Sequence, residues 1–355
     1  MTATSGLAAR GVRGRAVRAG LAYRFPLRYR VVWVALAALI VLIAATAPAT
    51  LHHASLQSVT ALAGILAIAS AGQLLVLLLG GIDISIGAVM TLAAAIVVKV
   101  SDGSDHRLLL AALIAVLAGA VVGVVNGLLC VLARLNALIV TLAMASVVTG
   151  LVTYWTGGVL FSATGKVPPQ LADLCGSYVG FVSVIALAAL ALLILVSLLL
   201  RKTRAGRNFA FSGTNPVAAD ILGLRVRAYQ ISAYIGASTL AAIAGIALAG
   251  FLVQPDATLG NPYQLNTVVV VILGGTLFGG GTSSLACIAA AAIFLPLLDQ
   301  YLGLRNLPPG LQVLAQGLVL LVAVALVMSI SGRRWKLPKQ LTALRHPAPR
   351  ERAQG

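Results

Sequence analysis

The 355-residue sequence predicts an all-α polytopic membrane protein of about ten transmembrane helices with both termini cytoplasmic, and three observations carry that prediction. Composition is 60% hydrophobic and 9% charged with a mean hydropathy of +1.03, outside the range of soluble globular chains. The net charge of +17 is unevenly placed: seven Arg lie in residues 1–30, six basic residues flank a central loop, and seven more follow Ser331. Such clusters mark cytoplasmic segments beside anionic lipid. Between them run apolar tracts of about 20 residues, the length that crosses a ~30 Å hydrocarbon core.

Taken in order, residues 1–30 read as a basic cytoplasmic arm, 31–330 as the transmembrane domain and 331–355 as a basic cytoplasmic tail. Val31 to Ala49 makes the first span. An Ala-x-Ala near Ala45 raises a signal peptide as the alternative; the charged region before it is too long, and the chain after it too hydrophobic, for secretion. Charges, Gly-Pro clusters and polar breaks then delimit nine further spans at 57–79, 84–100, 108–132, 137–157, 179–200, 229–253, 264–280, 284–302 and 311–330. Residues 257–298 carry no charge over 42 positions, so that tract is divided at Gly279 to Gly281. An even number of spans returns the chain to its starting side. Both Arg-rich ends and the loop 201–228 then share the cytoplasmic face, and Asp102, Asp105, Asp173, Asp256 and Asp299 fall in outer loops.

Thr203 to Leu224, TRAGRNFAFSGTNPVAADILGL, is a polar island between two long apolar tracts. Asn215 is placed to cap a short helix, Pro216 suits its first position, VAADIL follows, and Gly223 can adopt the left-handed conformation that ends it. Arg201, Lys202, Arg204, Arg207, Arg225 and Arg227 surround this stub, with Asp220 the only acid. A helix so short needs packing against something else; a solvated basic loop with an incidental turn is the bland alternative.

Two stretches read LGG, five residues, Gly: Leu79 to Gly87 and Leu273 to Gly281. Paired glycine-rich breaks in two parts of a transporter point to a shared translocation path, with chance in a chain of 36 glycines as the alternative. Gly80 and Gly81 let the chain turn sharply. Asp83 is the sole acid inside a predicted buried region; ionised at mid-bilayer it costs roughly 2.5–3.5 kcal/mol. It either caps a helix starting at Ile84 or serves as a hinge or pathway residue. Asn126 and Thr141 lie inside apolar spans, where polar side chains join helices, with cargo contact as the alternative.

No GxxxxGK[ST] phosphate loop, His-Glu-x-x-His or nucleophile elbow occurs in the sequence. Proton- or sodium-driven carriage would place several ionisable groups within the spans, where only Asp83 qualifies. If the chain carries a solute uphill, the energy has to come from a separate subunit. Cys130, Cys175 and Cys287 are too far apart to suggest a disulfide or zinc framework, and the adjacent His52 and His53 read as a solvated pair. Basic stretches lack the interleaved aromatics of a nucleic-acid surface.

The central string T-x-A-G-R-N-F-A-F-S-G-T-N-P-x-A-A-x-x-x-G-L resembles the cytoplasmic loop of ABC-transporter permeases of the ribose, xylose and galactose type, which are related to branched-chain amino acid permeases. GGIDISIG from Gly80 resembles the same family, as does the stretch carrying Asn126, Gly127, Ile139, Thr141, Leu142 and Gly150. Ala137 and Leu138 replace the family's usual Pro-Phe in that stretch. QLNTVVVVILGGTLFGGGTSS keeps the glycines Gly274 and Gly275, but has Gln264 and Asn266 where the family has acids and Leu277 where it has Ser. The likeness spans about residues 30–330.

What the resemblance implies is the membrane-spanning subunit of an ATP-driven importer, working by alternating access on a monosaccharide or similar small polar solute. Branched-chain amino acids, inositol, nucleosides or a sugar-like signal are the alternatives, and an ion-coupled carrier or scaffold acting alone is the reading from another class. The chain itself would bind no cofactor or metal; ATP and Mg would be used by a partner ATPase. The other expected partners are a second permease copy or close paralogue, an outer solute-binding protein and the bilayer of the bacterial plasma membrane, with no nucleic acid. ATPase coupling would fall to Gly206, Arg207, Gly213, Asn215, Ala218, Ala219, Asp220 and Gly223, and the path or hinge to Gly80, Gly81, Asp83, Ser85, Gly87, Asn126, Thr141, Gly274 and Gly275.

Overall fold

Inside lipid a helix satisfies every backbone N–H and C=O within its own segment, and the apolar tracts fold accordingly. The computed structural model describes residues 27–158, 160, 166–276, 284–305 and 308–330. Residues 1–26 of the basic arm, the basic tail from 331 and the cut at Gly279 to Gly281 lie outside the described residues, while residues 27–30 of the expected arm form the start of the first helix. In chain order come α1 (Leu27–Thr46), α2 (His53–Leu78), α3 (Ile86–Ser101), α4 (Asp105–Val131), α5 (Ala137–Thr156) and a short α6 (Pro169–Cys175). A hairpin of β1 (Tyr178–Val179) and β2 (Val182–Ser183) precedes α7 (Val184–Lys202), α8 (Arg204–Thr214) and α9 (Pro216–Ile221). The chain continues through α10 (Val226–Leu252), α11 (Asn261–Leu273), α12 (Leu285–Leu304) and α13 (Pro309–Ile330).

Every predicted span has a helix. Among the described residues seven helices are long and apolar enough to cross a membrane: α1, α2, α4, α5, α7, α10 and α12. By contrast α3 has 16 residues and α11 only 13, about 20 Å for the latter at 1.5 Å per residue. Thus the expected span 264–280 is a short helix, about two thirds of the ~30 Å core, that starts earlier and ends at Leu273. The expected span 179–200 is also corrected. Its first residues form the hairpin, pinned to α2 by hydrogen bonds from Gln57 Nε2 to the Gly180 carbonyl (3.3 Å) and from Ser183 N to Thr60 Oγ1 (3.1 Å).

The centre of the bundle is α2, buried over nearly its whole length and enclosed by α7, α10, α11 and α12. Small residues allow this. A Cβ at Gly64 would stand 2.8 Å from the Ala186 backbone on α7, and one at Gly72 2.8 Å from the Ala237 carbonyl on α10, the close approach by which membrane helices associate. Against α10 lie α3 and α4 as well. The outer helices α4, α5 and α7 turn apolar faces outward, with Leu109, Leu117, Ile139, Val147, Leu190 and Leu198 all exposed.

Sequential antiparallel helices give the bundle two ends. At one lie the end of α2, the end of α7, α8, α9 and the start of α10, with the six basic residues of the loop. At the other, α6 packs on α10, where a Cβ at Gly250 would meet Cys175 Sγ at 2.7 Å, and Asp105 Oδ1 accepts from Gln170 N at 3.0 Å. Asp299, expected in an outer loop, lies within the last turns of α12 instead.

Candidate functional site

The first helix break follows from glycine at the right place. At the end of α2, Gly80 N donates to Leu77 O and Gly81 N to Val76 O, both at 3.0 Å, with Gly80 at φ +83°. This is a Schellman ending, which needs a left-handed residue that glycine adopts without a Cβ penalty. Gly81 is needed for space, since a Cβ there would stand 2.6 Å from the Tyr234 hydroxyl.

Beyond the break the chain runs unwound to Ile86, and a buried polar network holds it. Asp83 does not cap a helix from Ile84, because α3 begins two residues later. Its Oδ1 instead accepts from Ser85 N (2.8 Å) and Ser85 Oγ (2.6 Å). Ser85 Oγ in turn accepts from Asn126 Nδ2 on α4 at 2.9 Å. Thr141 Oγ1, on α5, donates to Ala137 O at 2.8 Å and accepts from Ile84 N at 3.1 Å. Asp83, Ser85, Asn126 and Thr141 are all fully buried. The structure therefore gathers these four predicted residues into one joint tying the break to α4 and α5. Asp83 Oδ2 and Asn126 Oδ1 are left without a partner.

The second break repeats the geometry with a different register. Gly275 N donates to Ile272 O (2.8 Å) and Thr276 N to Val271 O (3.2 Å), with Gly275 at φ +85°. Gly275 thus corresponds to Gly80, whereas aligning the two LGG strings would pair Gly274 with it. Gly274 sits against α12, where a Cβ would lie 2.7 Å from Ile288 Cγ1. Leu277 and the rest of that string to Gly281 lie outside the described residues.

Gly87 and Gly260 form a contact that the sequence did not single out. A Cβ on Gly260 would collide with the Gly87 carbonyl and one on Gly87 with the Gly260 carbonyl. Thr91 Oγ1 bridges them, accepting from Gly260 N and donating to Gly87 O, each at 3.2 Å. The start of α11 is thereby seated on the first turn of α3.

In the basic loop, Asn215 Oδ1 accepts from Ala218 N (3.0 Å) to cap α9, and Pro216 occupies its first position. Gly223 at φ +75° ends it, with Leu224 N donating to Ala219 O at 3.0 Å. The preceding α8 was unforeseen; Thr203 Oγ1 caps it by accepting from Gly206 N at 2.9 Å. Gly206 and Gly213 lie two turns apart on α8 and face inward, where a Cβ would collide with the Leu199 and Leu78 carbonyls respectively. Phe209 stacks edge-on against Tyr229 of α10 with centroids 6.2 Å apart. Ala219 is fully buried and Ala218 half-buried, while Arg207 and Asp220 are exposed. Beside Asp220 the stub turns three apolar side chains outward: Val217 is 71% exposed, Ile221 82% and Leu222 70%, a cluster rather than a scattered surface residue.

The bundle thus combines helices long enough to cross a membrane with two short ones, α3 and α11, glycine-ended breaks and an exposed apolar turn on a basic loop. The family profile described as "Branched-chain amino acid transport system / permease component" matches residues 55–324, and the chain belongs to that family. It is 33% identical over 318 residues to the autoinducer 2 import system permease protein LsrC of Enterobacter sp. (strain 638), covering 88% of this chain and 90% of that one. The probable ABC transporter permease protein y4mJ of Sinorhizobium fredii is 29% identical over 305 residues, 84% of this chain and 89% of its own length. LsrC of Yersinia pestis is 32% identical over 276 residues, 76% and 77%. No solved structure matches the chain. The protein is thus an ABC permease subunit, a multi-pass protein of the bacterial plasma membrane rather than an enzyme.

Proposed function

We propose that this permease moves a monosaccharide or similar sugar-like solute into the cell by alternating access, worked by a cytoplasmic ATPase that grips α9. The observation that carries the coupling is the exposed apolar turn Val217, Ile221 and Leu222, braced through α8 by the inward-facing Gly206 and Gly213. The basic end of the bundle faces the cytoplasm, as the loop's six basic residues require. Two permease copies meet through the outward apolar faces. An outer binding protein delivers solute, and ATP with Mg is consumed in the ATPase. Closure of that ATPase draws the two stubs together and rotates the bundles as rigid bodies.

The sugar-like cargo is supported by likeness to an autoinducer 2 import permease. The family description favours branched-chain amino acids as the second reading. Competing labelled ribose, xylose, galactose and leucine for ATP-driven uptake by the assembled importer decides between them: sugar uptake untouched by leucine is expected, and leucine uptake alone would overturn the cargo. For the coupling, Ile221→Glu and Gly223→Pro should abolish co-purification of the ATPase while insertion stays normal. Retained ATPase binding and uptake in both variants would overturn the role given to α9.

A further inference from the structure

A cavity of about 310 Å³ opens at the basic end of the bundle, lined by Gly80 and Gly81 of the first break, Cys130 at the end of α4, Arg134 in the link to α5, and Gln230 and Tyr234 on α10. Arg134 is the only charged residue in its wall. The sequence has no acid between Asp105 and Asp173, which both belong to the opposite end of the bundle. Asp83 is fully buried, does not line the cavity and has its Oδ1 committed to Ser85. Arg134 is held at φ +55°, a conformation non-glycine residues seldom adopt, so the backbone fixes where its side chain starts. On either side of it in the chain, Leu132, Leu135, Leu138 and Ile139 are all exposed. The guanidinium therefore emerges from an apolar rim, at the cytoplasmic edge of the hydrocarbon.

A guanidinium at that level, with no carboxylate in the wall to pair with, selects an anion. A phosphodiester carries a single negative charge, matches one Arg, and meets it with two parallel N–H···O bonds. Tyr234 and Gln230 add a hydroxyl and an amide that can bond the hydroxyls of a headgroup. The volume, at the lower end of small-molecule sites, suits a headgroup whose chains stay outside. We propose that this cavity holds the headgroup of an anionic phospholipid of the inner leaflet, with its phosphodiester on Arg134 and its acyl chains along Leu135, Leu138 and Ile139. Basic pockets between transmembrane helices on the cytoplasmic side take headgroups of this kind. The proposal goes beyond the importer reading: it concerns a resident lipid rather than the cargo, and stands whichever solute is carried. Gln230 also lines the groove of about 700 Å³ along α9, together with Arg225, Arg227 and Asp220, so the lipid sits beside the surface given to the ATPase.

The test uses the native thiol in the cavity wall. Full-length permease is placed in nanodiscs of phosphatidylcholine, with or without phosphatidylglycerol, and labelled with a fluorescent maleimide. Cys175 and Cys287 are buried and Cys130 is half-buried, and Cys130→Ser supplies the background. Phosphatidylglycerol is expected to slow labelling of Cys130 several-fold, while glycerol phosphate or inorganic phosphate added to phosphatidylcholine discs leaves the rate unchanged. Arg134→Gly and Arg134→Asn remove the charge with residues that suit a left-handed backbone, and each should label at one rate in both kinds of disc. Arg207→Gln, which removes an exposed charge of the basic loop, should keep the full slowing. Equal labelling of the unmodified sequence in both discs, or slowing that persists in the Arg134 variants, overturns the site. Slowing by the soluble phosphates overturns a lipid as its occupant, and loss of the effect in Arg207→Gln reduces it to general surface charge and overturns it too.

Discussion

Ser85 joins two elements through one hydroxyl, donating to Asp83 and accepting from Asn126. Removing that hydroxyl leaves Asn126 Nδ2 without a partner and Asp83 Oδ1 with the Ser85 N–H alone, at about 1–3 kcal/mol. Ser85→Ala is therefore expected to lower the melting temperature of the purified permease. Asn126→Ala should do so comparably, and the double variant should fall short of the sum because both act on one network. A melting temperature unchanged in either single variant would count against the joint. Much of this joint was legible: Asp83 is conspicuous as the lone acid in an apolar region, and Asn126 and Thr141 as polar residues within spans. Partner choice was not, because which atom Asp83 Oδ1 reaches depends on the backbone being unwound through Ser85. Gly260 was invisible for another reason. Nothing in a chain of 36 glycines marks the one whose missing Cβ seats it on Gly87.

At the scale of elements, the stub α9 was readable from Asn215, Pro216 and Gly223 because caps and stops are local chemistry. Asn215→Ala should weaken it by about 1 kcal/mol, seen as looser ATPase association rather than a changed bundle melting temperature. Its brace α8 was not readable. Residues 204–214 carry two Arg and two Gly, which look like loop until the inner surfaces of α2 and α7 are there to receive Gly206 and Gly213. The two glycines assigned to the ATPase thus hold α8 to the permease, which separates two outcomes. Gly213→Ala inserts a Cβ where overpacking costs about 1–3 kcal/mol and should lower the melting temperature, whereas Ile221→Glu should leave it unchanged and lose the ATPase. The paired breaks carry a similar lesson. A repeated LGG string correctly located both, yet hydrogen bonding selects whichever glycine falls one residue past the helix cap, so the structural match is shifted by one.

Across the whole molecule, the apolar tracts and charge groups made the helices and their order legible. Sidedness is testable by single cysteines in a Cys130→Ser background: Val217→Cys should react with a membrane-impermeant maleimide only in inside-out vesicles, and Ser177→Cys only in right-side-out cells. The reverse pattern would invert the orientation. What hydropathy could not rank was burial, since α2 and α4 are both strongly apolar and yet one is enclosed and the other largely outward-facing. Each helix carries eight Ala and Gly, so the difference is their placement: on α4 Ala111, Ala115, Gly119, Gly123 and Gly127, four apart, make one buried stripe. Ala61, Ala63, Gly64, Ala67, Ala69, Ala71 and Gly72 fill α2, whereas α4 shows Leu109, Leu113, Leu117 and Val121 to the outside.

The hub of the bundle is also among the first pieces made. Between synthesis of residue 78, where α2 ends, and residue 304, where α12 ends, a ribosome at typical speed needs roughly 10–45 s. Throughout that interval α2 must wait in lipid without the helices destined to enclose it, its glycine and alanine notches open to any passing transmembrane segment. A nascent chain stalled before α10 would accordingly be a substrate for membrane quality control, however well each of its helices had inserted.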